Sequence, residues 1–256
     1  MFIRNTSHPT NLSIGSRSPK HSFVPTMALQ LPRHVKVGFV LFPLAFPLDW
    51  SGPLDVFNTL RPDSPIAASS DLSVSSTLLA ADLYPVEMTG GWSVVPQQTF
   101  SEALKEEWDI ILVPGGRGAR PWDENNAPAQ EFIKAIAPNV KYLLTVCTGS
   151  WLVAHTGLLS GRRATTNKSA FNNAKEHTKD KGVTWVPKAR WVVDEKFWTA
   201  SGVSAGLDMA SAFFRQFLAL HMTPEEAKAT GDKLLGVLEI IENGPEDDPW
   251  AEYYNL

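Results

Sequence analysis

Two short runs constrain this chain more than anything else in it: "DIILV" at 109–113 and "KYLLTV" at 141–146. Each is an almost unbroken apolar segment of strand length, without the alternation that one wetted face would impose. Strands of that kind need cover on both faces. The flanking sequence supplies it: "HVKVGFVLF" (34–42) and "VSSTLLAA" (74–81) read as further strands, and helical spacing recurs at 51–60, 129–137 and 150–159. Alternating strands and helices predict an α/β fold, a mostly parallel sheet in a three-layer sandwich. Residues 86–100 read as two short strands around Gly90-Gly91, and "RWVVDEKFWTA" (190–200) as a hairpin. Long helices are expected over 204–220 and 224–241, followed by an acidic, frayed end. The expected organisation is a leader over 1–32, one α/β domain over 33–242 and a C-terminal tail over 243–256, with no internal repeat or linker.

Composition narrows the function. With 43% hydrophobic residues the 256-residue chain can bury a substantial core, and its formal net charge of −4 offers no basic field for nucleic acid. No apolar stretch is long enough to span a bilayer, so neither nucleic acid nor membrane is expected as partner. No His/Cys/Asp spacing suggests a metal site. The leader is Ser/Thr/Pro-rich, and no Asp or Glu precedes Asp49, whereas Arg4, Arg17, Lys20, Arg33 and Lys36 do. Such a segment resembles an organellar transit peptide, but Pro9 and Pro19 would break its amphipathic helix. A dispensable tail, or an extension upstream of a true start at Met27, is the preferred reading. The location expected is therefore cytoplasmic, with mitochondrial targeting as the alternative.

The single cysteine, Cys147, excludes an internal disulfide. It stands where strand 141–146 runs into Thr148-Gly149-Ser150 and then into helical spacing. A sharp strand-to-helix turn pushes a nucleophile out of the sheet, toward free N–H groups of the helix start. In that setting a thiol is expected to have a lowered pKa. The left-hand glycine of the usual elbow pattern is missing, so the physical context supports the elbow better than the motif does. Gly115 and Gly116, in "VPGG", end the neighbouring strand, and the N–H groups of Gly116 and Thr148 are the expected oxyanion donors. Asp49 is expected between the first strand and the helix at 51–60, on the edge where parallel sheets bind ligands.

Together, "FVLFPLAFPLDWSGPLDVF", "VPGG", "VCTGSWLVAHTGLLSGRRATT" and "GVSAGLDMA" resemble the ThiJ/PfpI superfamily of the class I glutamine amidotransferase-like fold. The likeness is greatest to its isonitrile hydratase branch and runs from about residue 34 to about residue 220. It implies a flavodoxin-like sandwich, a homodimer, and no metal or organic cofactor. By position it assigns Cys147 as nucleophile, Thr148 as its hydrogen-bonding neighbour and Asp49 as the carboxylate beside it. Many relatives have a histidine after a Thr-Thr pair, whereas this chain reads "ATTNK" and places Asn167 there. Asparagine is no general base, so a Cys-His dyad is not expected and Asn167 is read as a pocket residue.

The resemblance implies a small-molecule enzyme that adds water to an isonitrile to give an N-substituted formamide. Two alternatives stay open: a glyoxalase- or deglycase-like enzyme of α-oxoaldehydes, and a cysteine redox sensor. The same fold serves as the sensor half of transcription regulators, but about 36 residues after Leu220 are too few for a paired DNA-binding domain.

Overall fold

The computed structural model describes residues 30–64, 71–120 and 122–256, so the reading of the leader up to residue 29 lies outside the described residues. The chain runs β1 (His34–Val40), α1 (Pro47–Asn58), β2 (Ser73–Ala80), β3 (Val86–Glu87), β4 (Ser93–Val94), β5 (Gln98–Thr99), α2 (Phe100–Ala103), β6 (Ile110–Val113) and α3 (Ala127–Ile136). It continues β7 (Tyr142–Thr145), α4 (Gly149–His155), β8 (Arg163–Ala164), α5 (Phe171–His177), β9 (Thr184–Trp185), β10 (Trp191–Asp194) and β11 (Phe197–Ala200). Helices α6 (Val203–Ala219), α7 (Pro224–Gly236) and α8 (Trp250–Tyr253) complete it.

The main sheet has seven strands in the order β10-β11-β7-β6-β1-β2-β5, parallel except for the β10–β11 hairpin. Every residue of β6 and β7 is buried, as their unbroken apolar runs require. The chain leaves β1 toward β2 and β5, then returns to β6 on the other side of β1. The carboxyl ends of β1 and β6 therefore flank the point where the winding reverses, the usual place for a ligand crevice.

Helix α6 packs on both α1 and α7, and α3 packs on α2 and α4. On the α6 side, Phe213 meets Phe57, Tyr142 and Trp198 edge-on, with ring centroids 6.0, 4.9 and 5.1 Å apart. On the α3 side, Phe100 stacks on Phe132 at 4.5 Å. Each such pair adds about 0.5–1.5 kcal/mol to the area it buries.

Three expectations change. Helix α1 begins at Pro47 rather than near Ser51, with Pro at its start, where the missing N–H costs nothing. Its first-turn acid is therefore Asp49, and Asp55 lies two turns in and exposed. The core also reaches upstream of the expected boundary, because Leu31 is buried in it. Finally, the acidic end does not fray. Asn243 donates its N–H to Asp208 at 2.9 Å, Asp248 is buried, and α8 folds against the domain. Acidic composition suggested solvation, but the buried Lys168 meets Asp248.

Candidate active site

Cys147 follows β7 and has a φ of +59°, a left-handed conformation that is strained for a side chain with Cβ. The surroundings hold it there. Its N–H donates to Ala200 O at 3.1 Å, and its carbonyl accepts from Ser150 Oγ at 3.1 Å and Thr166 Oγ1 at 3.0 Å. Gly149 is required next to it, since a Cβ there would lie 2.4 Å from Val113 O. Beneath the turn, a Cβ on Gly206 of α6 would meet Val146 Cγ1 at 2.7 Å, so the helix backbone lies directly on the Val146 side chain.

The strand end of β6 supplies the second wall. A Cβ on Gly115 would lie 2.5 Å from Thr148 N and 2.8 Å from Cys147 Cβ, which excludes any larger residue. Gly116 bridges to Ala45, and Phe46 N donates to Gly115 O at 2.9 Å, so the loop after β1 is tied to the loop after β6. That tie carries Asp49 to the cysteine. Gly115 N donates to Asp49 Oδ2 at 3.0 Å, the Cys147 thiol adjoins the same carboxyl, and Oδ1 is buried without a protein hydrogen-bond partner.

Burial dominates the electrostatics. It pushes Asp49 up to about 7, against the opposing pull of the Gly115 N–H and the thiol. It pushes the Cys147 thiol up as well, and the Asp49 charge adds to the rise; the Thr148 N–H, Asn167 and the Thr148 side chain pull it down by less. The expected low-pKa thiol is thus corrected. The start of a seven-residue helix offers too little to offset desolvation and a neighbouring carboxylate. The resting pair is best described as one in which sulfur keeps its proton and the carboxyl exchanges its own near neutral pH.

The expected oxyanion pair is also corrected. Gly116 N–H is already taken, donating to Thr148 Oγ1 at 3.0 Å, and that hydroxyl returns a bond to Gly116 O at 3.2 Å. The glycine loop positions the threonine and the aspartate, and Thr148 N–H is the backbone donor that reaches the sulfur. Asn167 does come to the thiol, and its Oδ1 is fixed by Ser169 N at 3.0 Å and Ser169 Oγ at 2.6 Å. That leaves its amide group as donor. His155 lies at the far end of α4 and is not among the thiol's polar partners. Thr166 escaped the sequence reading, because "ATTNK" signalled only a missing histidine and not a hydroxyl bonding the elbow carbonyl. Among the described residues, no group of three His, Cys, Asp or Glu side chains is placed to hold a metal ion. No helix there is long and apolar enough to cross a membrane.

The chain is similar to isonitrile hydratase of Pseudomonas putida, with 33% identity over 187 residues, 73% of each chain. It is also similar to a deglycase of Pyrococcus horikoshii, with 32% identity over 51% of this chain and 72% of the relative. The fold is shared with a ThiJ/PfpI family protein from Pseudomonas syringae at TM-score 0.66 and 22% identity, covering 94% of this chain and 87% of that one. It is shared too with Drosophila melanogaster DJ-1beta at TM-score 0.63 and 14% identity, covering 81% and 99%. A model of the DJ-1/PfpI family matches residues 35–216, the stretch that carries Gly115, Gly116, Asp49 and the elbow. The protein belongs to the DJ-1/PfpI family.

Proposed function

We propose that the protein is a cysteine-dependent hydratase of small isonitriles. One observation carries this reading: a buried carboxyl that holds its proton up to about pH 7 adjoins a thiol with no histidine among its partners. An isonitrile has its lone pair on the terminal carbon, and the same carbon must accept both a proton and a nucleophile. Asp49 and Cys147 are the matching acid and nucleophile.

In the first step the sulfur attacks the terminal carbon and Asp49 delivers a proton to it, giving the thioimidate R–N=CH–S–Cys147. The carboxylate recovers the proton that the attacking thiol gives up, so Asp49 is protonated again and charge does not accumulate in the buried site. Asp49 then protonates the thioimidate nitrogen, and the carboxylate so formed takes a proton from the water that adds to the carbon, giving R–NH–CH(OH)–S–Cys147. Collapse of the tetrahedral adduct breaks the carbon–sulfur bond, releases R–NH–CHO and returns the thiol. Asn167 and Thr148 N–H donate toward the sulfur, which stabilises it as it leaves. The similarity to an isonitrile hydratase supports this reading. The proposal extends to a homodimer needing neither metal nor organic cofactor, as the family resemblance implies, and to a cytoplasmic location, as the preferred reading of the leader implies.

The test is a panel of isonitriles run beside methylglyoxal, with formamide and lactate as readouts. Formamide should form with the wild type and not with Cys147→Ala, since no other group forms the thioimidate. Undiminished formamide production by Cys147→Ala removes the mechanism. Turnover of methylglyoxal alone makes the protein glyoxalase-like, and rapid peroxide oxidation of Cys147 without either turnover makes it a redox sensor.

A further inference from the structure

Beside the elbow lies an open cleft of about 430 Å³ whose walls come from several distant parts of the chain, Arg190 and residues 201–205 among them. Asn167, which touches the thiol, lies at one side, Leu48, next to Asp49, at another, and Trp250 and Tyr254 of the C-terminal segment close a third. Leu48, Trp250 and Tyr254 are 44%, 51% and 40% exposed, so three large apolar side chains stand half open to water around one cavity. Scattered exposed apolar residues need no explanation, but a cluster of them around a concave surface marks a binding site.

The segment bearing the two aromatic rings is held in place by costly contacts. Asp248 Oδ2 lies 3.2 Å from Lys168 Nζ, both side chains being almost wholly buried, and Asp248 Oδ1 accepts from Trp250 N at 3.0 Å to start α8. Lys168 directly follows Asn167 in the chain. The position of the aromatic wall is therefore tied by one residue to the group that touches the sulfur. Arg190 N donates to Pro245 O at 2.6 Å, and Asn243 bonds Asp208. Buried ion pairs are weak sources of stability, but they fix register. The segment also lies beyond the residues that match the family model, which end at 216.

We propose that the C-terminal segment is the substrate-selecting wall of this site, and that Trp250 and Tyr254 take up a bulky apolar or aromatic substituent carried next to the reacting group. The name of the reacting group, an isonitrile, rests on the hydratase reading; the subsite does not. Aromatic faces pack flat hydrocarbon well, and filling an apolar wall of an otherwise polar cleft discriminates by one to two orders of magnitude.

The experiment measures two ratios in the full chain. The first is kcat/KM for benzyl isonitrile over methyl isonitrile, expected to fall about 10- to 30-fold in a Trp250→Ala/Tyr254→Ala double variant. The second is the rate of Cys147 alkylation by N-benzyl iodoacetamide over iodoacetamide, expected to fall in the same variant. The alkylation ratio is independent of hydration, so loss of isonitrile turnover in the wild type alone sinks the hydratase reading and leaves the subsite supported. Equal falls for the large and small probes, or no change in either ratio, overturn the subsite. A halved molecular mass of the double variant by light scattering also overturns it, making this face an interface between copies of the chain. Trp250→Phe, which keeps the ring, should restore most of both ratios.

Discussion

Asp49 and Asp208 are hidden from water almost equally, at 0% and 3% exposure, yet their surroundings are opposite. Asp208, on α6, accepts from Arg190 Nε at 2.8 Å and from Nη2, while its other oxygen takes the Asn243 N–H at 2.9 Å. Asp49 takes one backbone N–H, lies against an uncharged thiol and keeps one oxygen unpaired. The first carboxylate is neutralised by a guanidinium and bonded on both oxygens, so it acts as a fastener. The second is left short of partners, so its proton is exchangeable near neutrality. Burial alone does not separate structural from reactive carboxylates; the donors that accompany it do.

The sharpest way to break this contrast is Asp49→Asn. Turnover should fall by about 10²–10⁴-fold, the usual worth of general acid–base catalysis, while Cys147 stays open to alkylation. Near-normal turnover would move the acid elsewhere. Stability should change in the other direction. Because folding raises the Asp49 pKa from 3.8 to about 7, the folded state binds its proton more tightly than the unfolded one. The stability this confers is complete below pH ~4 and lost as pH rises through about 7, with a ceiling of about 4 kcal/mol. Urea titrations should therefore find Asp49→Asn close to wild type at pH 4 and more stable than it at pH 8.

Asp208→Ala should do the reverse. It strands Arg190 without its carboxylate, and loss of one member of a buried pair costs about 3–5 kcal/mol. Denaturant midpoints should drop, while the alkylation rate of Cys147 per folded molecule stays near wild type. A fall in that rate as large as the fall in stability would erase the distinction between fastener and reactive group.

The smallest effect is expected at Asn167. Asn167→Ala removes one hydrogen bond to the sulfur, worth about 1 kcal/mol, so turnover should fall by about 3- to 10-fold. A collapse matching that of Cys147→Ala would instead make Asn167 a direct handler of substrate or water.

How far the sequence reaches is visible in the same residues. Strands β6 and β7 are legible because an unbroken apolar run has few other places to go, and the elbow is legible because Thr148-Gly149 follows such a strand directly. The start of α1 is not, since no side chain caps it and Pro47 marks it only by permitting it. Asp49 thereby lands inside a helix rather than ahead of it. The state of the thiol is illegible for a different reason. Helix position is local and can be read along the chain, whereas the thiol's burial beside Asp49 and Asn167 depends on segments that only the fold brings to the sulfur. The Lys168–Asp248 contact joins residues 80 positions apart by two charges that composition alone assigns to solvent.

The amide of Gly115 gives the site an observable of its own. Its N–H points at Asp49 Oδ2, with the nitrogen 3.0 Å away, while the next amide, that of Gly116, points at Thr148 Oγ1 with the same separation. In an ¹H–¹⁵N correlation spectrum the two neighbouring glycines form a probe and its reference. As the carboxylate forms, the Gly115 resonance should travel downfield with an inflection near pH 7, and that of Gly116 should move far less. Ligands entering the crevice would then be ranked by how they shift that inflection, without any turnover being measured.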